Sequence, residues 1–222
     1  MDDAIREKIQ SMGPWLTEIR RDFHMYPELG NREFRTSKKI QEILKDLGIS
    51  VTVYPDSTCV IGLIKGGKEG KTVAIRADMD ALPILEKNDT PYRSKNEGIM
   101  HACGHDVHVA VLLGVARYFA ENRDSLKGNI KLLFQPAEES TGGAEKMIEL
   151  GCLKNPDVDA VIGLHVSTAH RTGTVALKEG TMNAASDDVF ITVRGKSSHG
   201  AYPQLGTDAI TVSAQIVTAL QT

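Results

Sequence analysis

Apolar residues recur with a helical period at the start of the chain, at Ile5, Ile9, Met12, Leu16, Ile19 and Phe23. This pattern predicts one helix over residues 5–24, broken by Tyr26-Pro27-Glu28-Leu29-Gly30. A second helix is expected over 36–47, with Ile40, Ile43, Leu44 and Leu47 on one face and Gly48 as its stop. Residues 51–54 and 59–64 read as strands, the latter ending in Lys65-Gly66-Gly67. Residues 71–80 alternate, with Val73, Ile75, Ala77 and Met79 opposite Arg76, Asp78 and Asp80. That strand ends by presenting carboxylates. The apolar stripe Val111, Leu112, Val115 and Phe119 marks a helix over 107–122. A strand at 129–135 is stopped by Pro136, and a helix over 144–150 and a strand over 159–165 follow. Strands alternating with helices predict an α/β sheet with helices on its faces. Ligands bind such sheets at the carboxyl ends of the strands.

The pattern changes near Asn183. An alternating strand is expected over 188–194, then a Ser197-Ser198-His199-Gly200 loop and an apolar helix over 207–220. A strand and a helix do not close a domain alone. The chain is therefore expected to hold one α/β domain over 1–183 and the truncated opening of a smaller α+β domain over 184–222.

With 41% hydrophobic and 25% charged residues the 222-residue chain is long enough to bury a core, and its net charge of −3 offers no basic field for nucleic acid. No apolar run has the roughly 20 residues of a membrane span. The charged N-terminus lacks the apolar segment of a signal peptide, so a cytoplasmic location is expected. Three cysteines are too few, and odd in number, for a disulfide framework. Cys59 and Cys152 read as small buried hydrophobes. Cys103 differs because of its neighbours.

Four expected loops carry residues of metal-ligand type: Asp78-Met79-Asp80, His101-Ala102-Cys103-Gly104-His105-Asp106, Glu138-Glu139 and His165. Thiolate and imidazole at the start of a helix suit zinc and similar ions. A structural zinc knuckle would favour several cysteines at short spacing, whereas carboxylate and imidazole donors point to an open catalytic site. Of two adjacent glutamates, one can hold a metal while the other takes a proton from water. The plainer alternatives are a solvated acidic pair at a helix start for the glutamates and strand-end caps for Asp78 and Asp80.

The strings RRDFHMYPELG, RADMDALPI, MHACGHDVH, LLFQPAEE, GLHV and SSHGAYPQLGTDAI, in this order over nearly the whole chain, resemble the aminoacylase-type metal-dependent amidohydrolases. The closest branch holds hippurate hydrolase, the auxin-conjugate hydrolases and N-acetyldiaminopimelate deacetylase. The resemblance implies a mixed sheet with helices on both faces, as in metal-dependent exopeptidases, and a lid domain through which homodimers form. It also implies divalent metal ions, two per site (Zn, Mn, Co or Ni), held by Cys103, His105, Glu139 and His165. Glu138 would be the general base and later acid, and Asp80 a ligand-orienting carboxylate, with Asp78 the weaker candidate. His199 would reach a partner subunit's site to polarise the scissile carbonyl. His24 is expected to serve the fold, and His101, His108 and His170 to be supporting or surface groups. A further histidine ligand of the family lies beyond residue 222, so this chain alone is expected to be inactive. The implied reaction is hydrolysis of N-acyl amino acids. The rivals are a dipeptidase or carboxypeptidase of the same superfamily and a non-catalytic dimerising module. Those peptidases carry a histidine–x–aspartate motif where this chain has Asp78-Met79-Asp80, and an aspartate in place of Cys103.

Overall fold

The computed structural model describes residues 3–140, 142–182, 187 and 189–221. Its contacts divide into two compact units, Met1–Ala169 and His170–Thr222.

In the first unit the expected single N-terminal helix is two, α1 (Asp3–Ser11) and α2 (Gly13–Met25). The cause is Pro14, which sits in the first turn of α2. It has no N–H to continue a helix from α1, and its ring fits only a first turn. Helix α3 (Phe34–Asp46) ends before Gly48, whose φ of +65° suits glycine. Strands β1 (Ser50–Val53), β2 (Val60–Lys65) and β3 (Lys68–Asp78) follow. Then come α4 (His105–Glu121), β4 (Lys127–Gln135), α5 (Gly143–Glu149) and β5 (Ala160–Gly163).

The five strands form one mixed sheet in the order β1-β2-β4-β3-β5. β1, β2 and β4 pair antiparallel, while β3 runs parallel to both β4 and β5. The carboxyl ends of β3, β4 and β5 therefore open on the same side. Alternation along β4 sends Ile130, Leu132 and Phe134 to a layer built by α2, α3 and α4, including Phe23, Ile40, Leu44, Leu112 and Leu113. Leu133 points the other way, into a smaller cluster with Cys59, Ile61, Ala74, Met147 of α5 and Cys152. Helices thus cover both faces, as the sequence predicts. Truncating one fully buried leucine, such as Leu113→Ala, costs about 2–5 kcal/mol.

All three cysteines are free, and Cys59 and Cys152 are buried as expected. Lys131 is also buried on this second face. Its ammonium donates to the carbonyls of Lys154 (2.7 Å) and Pro156 (2.9 Å), fastening the connection that leads into β5.

In the second unit, α6 (Ala209–Ala219) is capped by Asp208, whose carboxylate accepts the amides of Ile210 and Thr211. The strand expected over 188–194 does not form at 189–194, and Asp188 lies outside the described residues. Among the described residues of this unit, the only strand-type pairing is an isolated bridge between Lys196 and Thr207, so no neighbour supplies the ladder a strand needs. Among all described residues, no helix is long and apolar enough to cross a membrane.

Candidate metal centre

Four segments converge where the parallel strands end. β3 delivers Asp78 and then Asp80. Gly104, with φ +87°, turns the chain from Cys103 into α4. A side chain at Gly104 would collide with Val166, since an added Cβ would lie 2.5 Å from Val166 Cγ2. The bare backbone therefore brings Cys103 and His105 against the segment after β5, which carries His165. After β4, Pro136 ends the ladder, and Ala137 takes a left-handed φ of +51° before Glu138 and Glu139.

His105 is the hub. It is 1% exposed, and its Nδ1–H donates to Asp80 Oδ1 at 3.3 Å. Its other nitrogen, Nε2, is buried and has no hydrogen-bond partner among the described residues. Carboxylate oxygens stand 3.7 Å away on Glu139 and 3.6 Å away on Asp78. Burial would lower this imidazole's pKa, but Asp80, Asp78 and Glu139 together raise it. An orphaned imidazole nitrogen facing carboxylates is the arrangement a cation completes.

Around His105 the donor atoms of Cys103, His105 and His165 lie within 4.8 Å of one another, and so do those of His105, Glu138 and Glu139. His165 Nδ1 donates to the Val166 carbonyl at 2.7 Å, which turns Nε2 toward Cys103 Sγ at 3.4 Å. This backbone bond fixes the tautomer, as is usual for metal-bound histidines. The Cys103 thiol is pushed up to about 12, first by burial and then by Glu139 and the neighbouring carboxylates. An environment this unfavourable to a bare thiolate becomes favourable once a dication is present. The residues therefore fit divalent metal ions.

A third cluster, Asp78, His105 and His108, has the right atom types. Two of its members, Asp78 and His108, are already engaged. The Val166 amide donates to His108 Nε2 at 3.0 Å, so the proton sits on Nδ1 and is donated to Asp78. The second oxygen of Asp78 pairs with Arg76. Burial alone would raise the Asp78 carboxyl, but His108, His105 and Arg76 hold it below the usual carboxylate range. His108 thus positions the backbone beside His165.

Asp80 does comparable work on the other side. Its Oδ1 faces His105, and its Oδ2 accepts the Glu139 amide at 3.0 Å. Against the cost of burial, the His105 ring and the amides of Glu139 and Glu138 keep this carboxyl low as well. Of the two aspartates named from sequence, Asp80 touches both a candidate ligand and the glutamate loop.

His24 belongs to a separate buried cluster. Its ring donates to Asp106 (2.8 Å) and Glu86 (3.1 Å), and Arg20 also pairs with Asp106. His101 is buried with neither ring nitrogen bonded among the described residues, and burial lowers its pKa to about 4. His170 is exposed. His199 lies in an exposed loop of the second unit, where Nδ1 accepts the Ala201 amide at 3.1 Å. Its Nε2 then carries the proton of the neutral ring and can donate.

An open α/β sheet thus gathers cysteine, histidine and glutamate side chains at its carboxyl edge, in groups that could hold a metal ion. The sequence profile of peptidase family M20/M25/M40 matches residues 74–220, and the chain belongs to that family. It is 51% identical over 207 residues to N-acetyl-L-cysteine deacetylase of Bacillus subtilis, covering 93% of this chain and 49% of that protein. It is 44% identical over 221 residues to thermostable carboxypeptidase 1 of Saccharolobus solfataricus, covering 98% and 56%. A crystal structure from Bacillus subtilis, described as a dinuclear metal binding peptidase of the M20 family, matches with a TM-score of 0.73 at 42% identity. That match covers 77% of this chain and 48% of the other. The chain spans about half the length of the curated relatives it matches.

Proposed function

We propose that the protein hydrolyses the amide bond of N-acyl amino acids, releasing a carboxylic acid and a free amino acid. The observation that carries this reading is the orphaned His105 Nε2, set between a Cys103–His165 pair and the Glu138-Glu139 pair. The 51% identity to a protein named as an N-acetyl-L-cysteine deacetylase supports the substrate class.

Cys103, His105, Glu139 and His165 hold divalent ions, two per site, of zinc, manganese, cobalt or nickel type. When bound, these ions lower the pKa of a water and polarise the acyl carbonyl. Glu138 takes the proton of the attacking water and returns it to the leaving amine nitrogen. Asp80 holds His105 and the glutamate loop in register. His199 donates from Nε2 to the developing oxyanion across a homodimer formed through the second unit. The protein acts in the cytoplasm.

Carboxypeptidase activity is the second reading, favoured by the 44% identity to thermostable carboxypeptidase 1. It needs the same machinery and differs in the acyl side of the bond. Assaying full-length protein against acetyl, benzoyl and succinyl amino acids and against dipeptides, each with several metals, separates the two. Turnover of dipeptides alone would overturn the deacylase reading.

A further inference from the structure

Glu33 is a fully buried carboxylate that the chemistry above does not use. It is 0% exposed and lies just before α3. One oxygen accepts the Thr58 hydroxyl at 2.6 Å, and the other accepts the amide of Ala137, 104 residues along the chain, at 2.8 Å. Ala137 is the residue whose left-handed φ of +51° aims the chain into Glu138-Glu139. An L-residue takes that conformation only when its surroundings impose it.

The segment bearing Glu33 is itself braced. Glu28 accepts the amides of Arg35 (3.0 Å) and Thr36 (2.8 Å) at the start of α3. Leu29 bridges to Ala81, and the Ala81 amide donates to the Glu28 carbonyl. Gly30 packs so closely that an added Cβ would stand 3.0 Å from Ala137 Cα and 2.6 Å from Ser140 Oγ. Asp80 accepts the Glu139 amide. Carboxylates from two segments thus hold the loop at two amides, those of Ala137 and Glu139.

We propose that Glu33 is a positioning residue for the Glu138-Glu139 pair: it holds Ala137 in its left-handed conformation and so sets where the base and the metal-binding carboxylate point. This rests on the roles assigned to Glu138 and Glu139 above. Glutamine at position 33 can still accept the Ala137 amide through its oxygen while its NH2 group faces the Thr58 hydroxyl. Glycine at position 137 takes positive φ without support.

The test uses full-length protein. Glu33→Ala should weaken Mn2+ binding to the metal-stripped protein roughly 10-fold or more, the scale for losing a support behind a ligand. It should also lower kcat at saturating metal far more than it changes KM, and speed hydrogen exchange of the Ala137 amide. Glu33→Gln should stay close to wild type. Ala137→Gly should partly restore Mn2+ affinity and kcat to Glu33→Ala, a rescue that a merely core-filling Glu33 would not give. If Glu33→Ala does not fold, Glu33→Asp keeps the charge but withdraws it by one methylene, and should show the same pattern in milder form. Wild-type Mn2+ affinity and Ala137 exchange in the folded variant, or Glu33→Gln as impaired as Glu33→Ala, would overturn the proposal. If the wild-type protein turns over no N-acyl amino acid, the functional reading fails instead. The Mn2+ titration and the amide exchange still decide the role of Glu33.

Discussion

Cys103 Sγ stands 3.4 Å from His165 Nε2, although 62 residues separate them in sequence. The thiol end of this pair is protonated without metal, because burial and the surrounding carboxylates push it to about 12. If Cys103 ligates a metal ion, binding must displace this proton. Zinc added to metal-stripped full-length protein in weakly buffered solution near pH 8 should release it, and Cys103→Ser should release less and bind zinc more weakly. Equal proton release from the variant would remove Cys103 from the ligand set.

The two adjacent glutamates should fail differently. Glu138→Gln keeps shape and metal but loses the proton acceptor, so turnover should drop by roughly 100- to 10,000-fold at unchanged metal content. Glu139→Gln should bind metal more weakly, with excess metal partly restoring the rate. Elemental analysis beside kinetics decides. Loss of metal from Glu138→Gln and its retention in Glu139→Gln would mean the roles are reversed.

His24 faces Asp106 of α4, Glu86 and His101 of the intervening loop, Arg20 of its own helix and the edge of the Tyr92 ring. The Asp106 hydrogen bond, opposed by burial and aided by Glu86, raises the His24 pKa above 6.5. A raised folded-state pKa gives stability that is complete below the unfolded value near 6.5 and is lost as pH rises through the folded value. The ring should therefore titrate above pH 6.5 by NMR in the folded protein. His24→Gln should show a shallower fall in Tm than wild type as pH rises from about 6.5 to 9. An unshifted titration would show that the two carboxylates do not hold a charged ring.

If His199 works across a dimer, mixing inactive His199→Ala and Glu138→Gln full-length proteins should restore some activity, because hybrid dimers regain one complete site. Subunit exchange shown by mass spectrometry without returning activity would refute the trans role.

Much of this was legible in sequence, since α4, β3 and β4 announce themselves by period and the ligand-type residues cluster at their ends. The break at Pro14 was visible too, but the apolar period runs through it and hides it. Residues 189–194 alternate like a strand, yet alternation describes one surface and pairing needs a second. Glu33 was not legible as a support because it acts on a backbone amide, of Ala137, far away in the chain; His108 was expected as a supporting or surface group, but its target, the Val166 amide, was not legible. No side-chain pattern marks an amide as a partner.

The register of β3 on β4, with Asp78 opposite Gln135, has a consequence for assembly of the molecule. A slip of one residue would turn every β3 side chain to the other face and bring a thioether, Met79, to the place of a carboxylate. His105 and the Glu139 amide would then face sulfur instead of oxygen, and the donors could not close around a cation. If a cation needs the completed set, a misaligned β3 would leave the site unable to bind it, and metal loading would report on strand alignment.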